Sequence, residues 1–504
     1  MESRARFVRS FVWAALAMSV FFIGEFLLEW WHAGSPGMDK VSWVAKNNAK
    51  LVDILSPMAR AYNNVLAMLI ATIGLAIPLT ANMHTPKLID MFLRDRTNQI
   101  MLGLIAFGAA HVLWAAWMVG PDFAPMWTIR LAVFGAMVGW AALIPYFFYV
   151  VRFLDPSTIL ERLHKDTLNA VKGALNGSIP VEKAQDIVHE RMHQTGTIIL
   201  KSIDRADRSV ALEGIWGCKV LLEQYGQLKS QLPAAWFQVD RGDFIGASQE
   251  ALSIINDERN WFELRVMTQM YLAYQNALAK STDAIPAISD ATRVVASQAA
   301  ARGDVEAFVV AQRFFHNYLR EAIKRKDVHA LYDLFYQYRQ LGSELTDKPD
   351  LLRGVGKRFR GYAEQAAGVG IAFATQIAGF DLGWLTLEAT KRNSAAADQL
   401  LTEVLSFSHG NPQQPLTLLV KAKFILGSGL LERGHAAQAQ RVADDLKDLP
   451  VAVIAKICDE LVEQNERAFW EVTDRQVNFE WLSAEHRAFL PKFAELSSLR
   501  DEAR

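Results

Sequence analysis

Four runs of about twenty residues in the first third of the chain are almost free of charge: Phe11 to Trp31, Val65 to Met83, Ile100 to Val119 and Leu131 to Val151. A bilayer core takes about 20 helical residues to cross. Inside it every backbone N–H and C=O must find its partner within the segment, so runs of this kind predict membrane-crossing helices. The first run follows Arg4, Arg6 and Arg9 and precedes Ala33-Gly34-Ser35, like a signal peptide. It is longer than the usual apolar region of roughly 7 to 15 residues, and is read as an uncleaved anchor.

Charge divides the chain near residue 165. Residues 1–165 carry 14 Lys+Arg and 10 Asp+Glu, and the remainder carries 39 and 44, which together give the net −1 of the 504 residues. With 51% hydrophobic residues there is ample material for a core, which excludes disorder. The absence of a basic excess argues against nucleic acid as a partner. Cys218 and Cys458 stand far apart with no CxxC, as reduced thiols do.

Positive charge predicts the topology. Arg4, Arg6, Arg9, Lys87, Arg94, Arg96, Arg152, Arg162 and Lys165 make nine cations on one side of four crossings, against five on the other, Lys40, Lys46, Lys50, Arg60 and Arg130. Both termini and everything after residue 152 are then cytoplasmic, in a bacterial-type inner membrane, with membrane lipid as one partner. In the first outer loop, residues 32–64, Val41, Val44, Leu51 and Leu55 fall on one helical face and Asp39, Lys46, Lys50 and Asp53 on the other. That pattern fits a helix lying in the interface, or one capping the bundle.

Glu25, Glu29 and His111 are the costliest residues to place in lipid. Glu25 lies 14 positions after Phe11 and His111 11 positions after Ile100, so on two helices running the same way they reach similar depth. A contact between them would serve either as a hydrogen bond joining two helices or as part of a proton or ion relay, with Asn63, Asn64 and Arg130 near the outer mouth. Gly135 and Gly139 form a GxxxG step on the fourth crossing, which permits close helix contact within the bundle or between copies in a homo-oligomer.

The stretches His84-Thr-Pro-Lys-Leu-Ile-Asp-Met-Phe-Leu-Arg-Asp-Arg-Thr-Asn-Gln-Ile-Met-Leu-Gly103 and Ile144-Pro-Tyr-Phe-Phe-Tyr-Val-Val-Arg-Phe-Leu-Asp-Pro-Ser-Thr-Ile-Leu-Glu-Arg162 resemble an uncharacterised family of predicted bacterial multi-pass membrane proteins. That family has an N-terminal helical membrane region, a Ser-Pro-Arg-like turn and a Leu-Arg-Asp-Arg-like approach to its third crossing, then a cytosolic part. The likeness covers about residues 80–165, and Ala251-Leu-Ser-Ile-Ile-Asn-Asp257 is similar to a short stretch of the family's soluble region. After residue 165 the chain departs from the pattern, without the small strand-rich segment. The resemblance implies a topology and a membrane role, and no reaction.

Beyond the membrane segments the periodicity is helical. Runs such as Glu258 to Ala279, Val305 to Ile323, His329 to Leu341, Leu416 to Leu431 and Ala436 to Leu446 alternate with breaks at Gly, Asp, Asn or Pro. Ala422-Lys-Phe-Ile-Leu-Gly427, Leu430, Gly434, Ala439 and Pro450 resemble a tetratricopeptide repeat over about residues 416–450. Gly303-Asp-Val-Glu-Ala307 and Lys326-Asp-Val-His-Ala330 read as helix-opening turns, spaced too closely for that repeat. Ala367 to Trp384 holds only Gln376 and Asp381 among small or apolar residues. Its glycines and symmetric basic flanks suit a helix buried between helices rather than a fifth crossing.

The sharpest chemical motif is His189-Glu190-Arg191-Met192-His193. Histidines at i and i+4 share a helix face and can hold zinc while the glutamate activates the bound water. Glu213, 20 positions on, would be a third ligand at a spacing similar to that of the gluzincin peptidases. Arg191 is foreign to such peptidases, and the alternative is a solvated face of His, Glu and Arg. No phosphate loop, dinucleotide fingerprint or GxSxG elbow occurs.

The sequence therefore predicts an all-α protein. Residues 1–155 form a four-helix transmembrane bundle, 156–260 a helical connector, and 261–504 an irregular, tetratricopeptide-like domain. A non-enzymatic, oligomeric scaffold whose cytosolic domain binds a protein partner, with no cofactor, is the leading expectation. A conduit using Glu25, Glu29 and His111, and a zinc peptidase with Glu190 as base and His189, His193 and Glu213 as ligands, are the alternatives.

Overall fold

The computed structural model describes residues 2–33, 48–83, 88–120, 124–240, 242, 244, 248–280, 283–468, 475 and 478–498. It divides into two units, Met1–Ile159 and Leu160–Arg504. Apart from one two-residue hairpin, the regular structure of the described residues is helical.

The first unit contains α1 (Glu2–Ala33), α2 (Asn48–Met83), α3 (Leu88–Arg94), α4 (Arg96–Met118) and α5 (Met126–Leu154). Among the described residues three stretches are long and apolar enough to cross a membrane: Leu51–Thr80 within α2, and the whole of α4 and α5. Of the four expected crossings, three are found among the described residues. The first expected crossing, residues 11–31, falls in α1, and the side chains before residue 16 lie outside the described residues. The interfacial helix expected in the outer loop lies only partly within the described residues. Val41, Val44, Asp39 and Lys46 lie outside the described residues, while Leu51, Asp53 and Leu55 belong to α2, which continues without a break into the apolar stretch.

Trp117, Leu75 and Met68 are 77, 74 and 70% exposed, so large apolar groups of this unit point outward, as a hydrocarbon solvent allows. Inward, α2, α4 and α5 pack on one another. The buried Tyr62 of α2 reaches a notch made by two glycines. A Cβ on Gly139 would lie 2.0 Å from its hydroxyl oxygen, and one on Gly108 2.9 Å. One half of the GxxxG step therefore serves a contact inside the bundle; Gly135 faces open space.

The second unit runs through α6 (Pro156–Leu175), which begins just before the boundary, α7 (Val181–Asp204), α8 (Arg208–Leu228), α9 (Gln249–Asp257), α10 (Trp261–Lys280), α11 (Ala284–Arg302), α12 (Val305–Arg325), α13 (Val328–Glu344), α14 (Pro349–Gly368), α15 (Phe373–Lys391) and α16 (Ala397–Leu405). The hairpin β1 (Gly410–Asn411) and β2 (Gln414–Pro415) follows, then α17 (Thr417–Glu432), α18 (Ala436–Leu446), α19 (Val451–Glu463), α20 (Ala484–Arg487) and α21 (Leu490–Ser498). Helix α7 packs on α8 and α10, α11 on α8, α12 and α13, α13 on α15, and α15 on α14, α16 and α17. These overlapping contacts join one apolar core from Ala170 to Phe493, to which the residues read as a connector contribute Val188, Met192 and Ile215.

Local chemistry explains the boundaries. Asp304 and Asp327 cap α12 and α13, accepting from the backbone N–H of Ala307 at 3.1 Å and of Ala330 at 3.0 Å. These are the two helix-opening turns expected from the sequence. Before them Gly303 and Lys326 adopt left-handed φ of 77° and 55°, which ends α11 and α12. The apolar segment 367–384 forms the end of α14 and most of α15, and α15 lies between other helices of the core. A Cβ on Gly379 would meet Leu419 of α17 at 2.6 Å, so glycine is what lets the two helices approach. The expected tetratricopeptide unit is the α17–α18 pair, of 16 and 11 residues. The preceding pairs, with helices of 17 and 20 and of 19 and 9 residues, do not reproduce it, and a repeat is not confirmed.

Candidate functional site

Two polar residues of the first unit, Glu25 and His111, are brought together. Oε2 of Glu25 on α1 lies 2.9 Å from Nε2 of His111 on α4, with the two side chains 12 and 3% exposed. The imidazole is enclosed by aromatic rings: Phe22 stacks on it at 5.4 Å, Phe107 lies at 5.6 Å and Phe21 meets it edge-on at 5.8 Å. These rings fix the plane of the histidine and keep the pair away from other polar groups. A proton can move along the Nε2–Oε2 contact; equally, the contact fastens α1 to α4.

Glu29, one turn further along α1, has a different task. Its Oε1 accepts from the backbone N–H of Trp127 at 2.6 Å and of Thr128 at 2.9 Å. Those are among the first amides of α5, which have no partner within their own helix. The carboxylate therefore caps α5 from a neighbouring helix, and its charge suits the positive end of the helix dipole. Near the other end of α4, Asp95 accepts from the N–H of Asn98 at 3.1 Å and from the hydroxyl of Tyr149 at 2.7 Å, tying α4 to α5. Arg130 stacks over the ring of Trp127, and Asn63 donates to the carbonyl of Ala59 within α2, so neither approaches the Glu25–His111 pair through a described contact.

The HExxH motif lies on α7. His189 is buried, with its ring 5.0 Å from that of Trp261 and 5.9 Å from that of Phe244, whereas Glu190 and His193 are exposed. Arg191 reaches Asp166 on α6 at 3.1 Å. Glu213 is exposed on α8. Among the described residues no group of three His, Cys, Asp or Glu is placed to hold a metal ion, so His189, His193 and Glu213 are not gathered into one set. The helix puts one histidine into the aromatic core and the other into solvent, the amphipathic arrangement of a surface helix. Cys218 and Cys458 are separate buried thiols, and burial pushes Cys218 up to about 12.

The comparisons with known proteins bear on the first unit and on the first helices of the second. Residues 4–210 match the family model of a predicted membrane protein, DUF2254. The DUF2254 match is wider than the likeness legible over 80–165. It takes in Glu25, Glu29, His111 and the HExxH helix, and it joins the apolar helices in marking this chain as a membrane protein. It carries no reaction. No curated protein matches the chain. One solved structure, a circular tandem repeat protein with novel repeat topology and enhanced subunit contact surfaces, aligns over 96% of each chain at 14% identity and a TM-score of 0.33, too low to define a shared fold.

The second unit holds buried charges that sequence reasoning missed. Asp381 on α15 is fully buried against Arg475 and Arg339. Lys423 on α17 is fully buried, donating to the carbonyl of Phe407 at 2.7 Å and to Asp445 at 2.6 Å. Lys229 bridges Glu263 at 2.7 Å and Asp304 at 3.0 Å. The available signal was a charge inside an apolar helix, one in Gly379-Phe-Asp-Leu-Gly383 and two in Leu418-Leu-Val-Lys-Ala-Lys-Phe424. Such a charge must find a partner or it would not be tolerated.

Proposed function

We propose that this chain is a non-enzymatic scaffold of a bacterial inner membrane, whose second unit projects into the cytoplasm as a platform for a protein partner. The supporting observation is that Glu25, Glu29 and His111, the groups most able to do chemistry in the membrane segments, all bind a neighbouring helix: Glu25 pairs with His111 across α1 and α4, and Glu29 caps α5. The orientation rests on the nine-to-five distribution of cations and takes α1 as a fourth crossing beside the three apolar stretches of α2, α4 and α5. A photoreactive side chain at exposed Trp216 of α8, carried by the full-length protein in cells, tests the platform. The expected result is one reproducible protein adduct, lost on adding a competing excess of unlabelled chain. A set of adducts no different from that of a membrane-anchored control would end the reading. Reporter fusions at both termini check the orientation, with cytoplasmic signals expected from each.

A second reading, a conduit or transporter accessory, is favoured by one feature: Glu25 and His111 form a carboxyl–imidazole contact enclosed by aromatic rings and set among apolar helices. On that reading Glu25→Gln abolishes ion or proton flux in proteoliposomes while the protein remains folded. Retained flux, or no flux from the wild type, removes it.

A further inference from the structure

Arg475 is held as a ligand is held. Its Nη1 donates to both oxygens of Asp381, at 2.9 and 3.0 Å, and its Nη2 donates to the backbone carbonyl of Tyr332 at 2.8 Å. The guanidinium lies 4.1 Å from the ring centre of Tyr332, 5.3 Å from that of Tyr336 and 5.4 Å from that of Phe479. Its side chain is 2% exposed. Carboxylate, carbonyl and aromatic faces are the groups that suit a flat, weakly hydrated cation with fixed donors.

The walls belong to the fold, and the cation comes from elsewhere. Tyr332, Tyr336 and Arg339 recur along one face of α13, while Asp381 and Trp384 stand one turn apart on α15, and these two helices pack directly on each other. Arg475 arrives from the stretch between α19 and α20, 94 positions after its acid. Asn478 donates from Nδ2 to the carbonyl of Glu466 at 2.9 Å and from its backbone N–H to that of Arg467 at 3.2 Å. A second cation stays with the pocket. Arg339 lies 3.5 Å from Asp381 and is stacked over Trp384 at 4.7 Å and Tyr336 at 5.2 Å. If Arg475 leaves, Asp381 still faces one positive charge, so the emptied pocket is not a lone buried carboxylate, the arrangement that costs most.

We propose that the Asp381 pocket is a guanidinium receptor: Arg475 is its built-in ligand, and once Arg475 withdraws the pocket accepts an arginine side chain in trans. This goes beyond the platform reading and does not depend on it, because it concerns what the pocket binds rather than which protein docks. It would give the second unit a place where an arginine-bearing segment of another protein competes with the chain's own Arg475.

The test uses full-length protein in detergent and N-acetylarginine amide as the probe, with N-acetyllysine amide as control. Arg475→Ala removes the built-in ligand. The arginine amide should raise the unfolding temperature of this variant by mass action, and leave unchanged both the wild type, whose pocket is filled, and the Asp381→Asn/Arg475→Ala double variant. The lysine amide should do less, since an ammonium lacks the planar fork. If Arg475→Ala does not fold, Arg475→Met, which keeps the volume of the aliphatic stem, takes its place in the same comparison. No rise in the single variant, or the same rise in the single and double variants, overturns the proposal.

Discussion

The two units solve the same problem, placing polar groups among helices, in opposite solvents. In the first, Trp117, Leu75 and Met68 face outward and the ionisable side chains turn inward to a neighbouring helix. In the second, the apolar side chains form one core and most charges lie outside, yet Asp381 and Lys423 are buried as completely as any leucine. The difference teaches what a buried charge does in each setting. Among the membrane helices a single contact, Glu25 to His111, joins two helices, because lipid offers no competing water. In the second unit Asp381 and Lys423 each have two partners, Arg475 and Arg339 for the acid and the Phe407 carbonyl and Asp445 for the lysine, and these bonds offset the cost of desolvation.

That contrast can be broken most forcefully at Asp381. Asp381→Ala leaves Arg475 and Arg339 buried without their acid and should cost about 3–5 kcal/mol, read as a fall in the unfolding temperature of the second unit. Acid should weaken the same unit. Burial lowers His164, whose ring lies against Gly217, and His316 to about 4, from an ordinary 6.5. Below pH 6.5 the unfolded chain takes up protons that these folded imidazoles refuse, so stability is complete above that pH and declines as pH falls toward about 4. His164→Gln should flatten part of that decline in unfolding curves recorded between pH 7 and 4.5.

The membrane unit sharpens the comparison with smaller effects. Glu25→Leu strands His111 without its partner and should cost about 1–3 kcal/mol in detergent unfolding, while Glu25→Gln, which keeps a hydrogen-bonding group, should cost less. Equal losses would mean that the charge matters more than the bond. Glu29→Ala removes the cap of α5, for an expected loss of about 0.5–2 kcal/mol, with faster hydrogen exchange confined to the first turn of that helix. Smallest of all, His193→Ala on the exposed face of α7 should move stability by no more than about 0.5 kcal/mol. A chelator should leave the unfolding temperature unchanged, and a shift on chelation would bring back the zinc set of His189, His193 and Glu213.

Much of this architecture was legible in the sequence, and the misreadings have physical causes. Length and apolarity identified the crossings in α2, α4 and α5, but α2 begins earlier than expected because Pro57 does not stop it. The depth estimate for Glu25 and His111 succeeded because rise per residue is nearly constant in a helix. The same arithmetic could not foresee Glu29 at the start of α5, since that contact depends on how an interhelical connection brings the amides round. For HExxH the sequence supplied only the spacing: it puts two histidines near one helix face, and packing against Trp261 takes His189 into the core while His193 stays exposed.

From its sequence alone this protein is a helical membrane protein with a second helical unit, because solvent preference and 3.6-residue periodicity are local and additive along the chain. The tertiary structure alone decided the partners: Tyr62 in the notch of Gly108 and Gly139, Glu29 on α5, and Arg475 on Asp381. A buried charge announces that it needs a partner, but which one it meets depends on the packing of distant helices, and no local pattern records that.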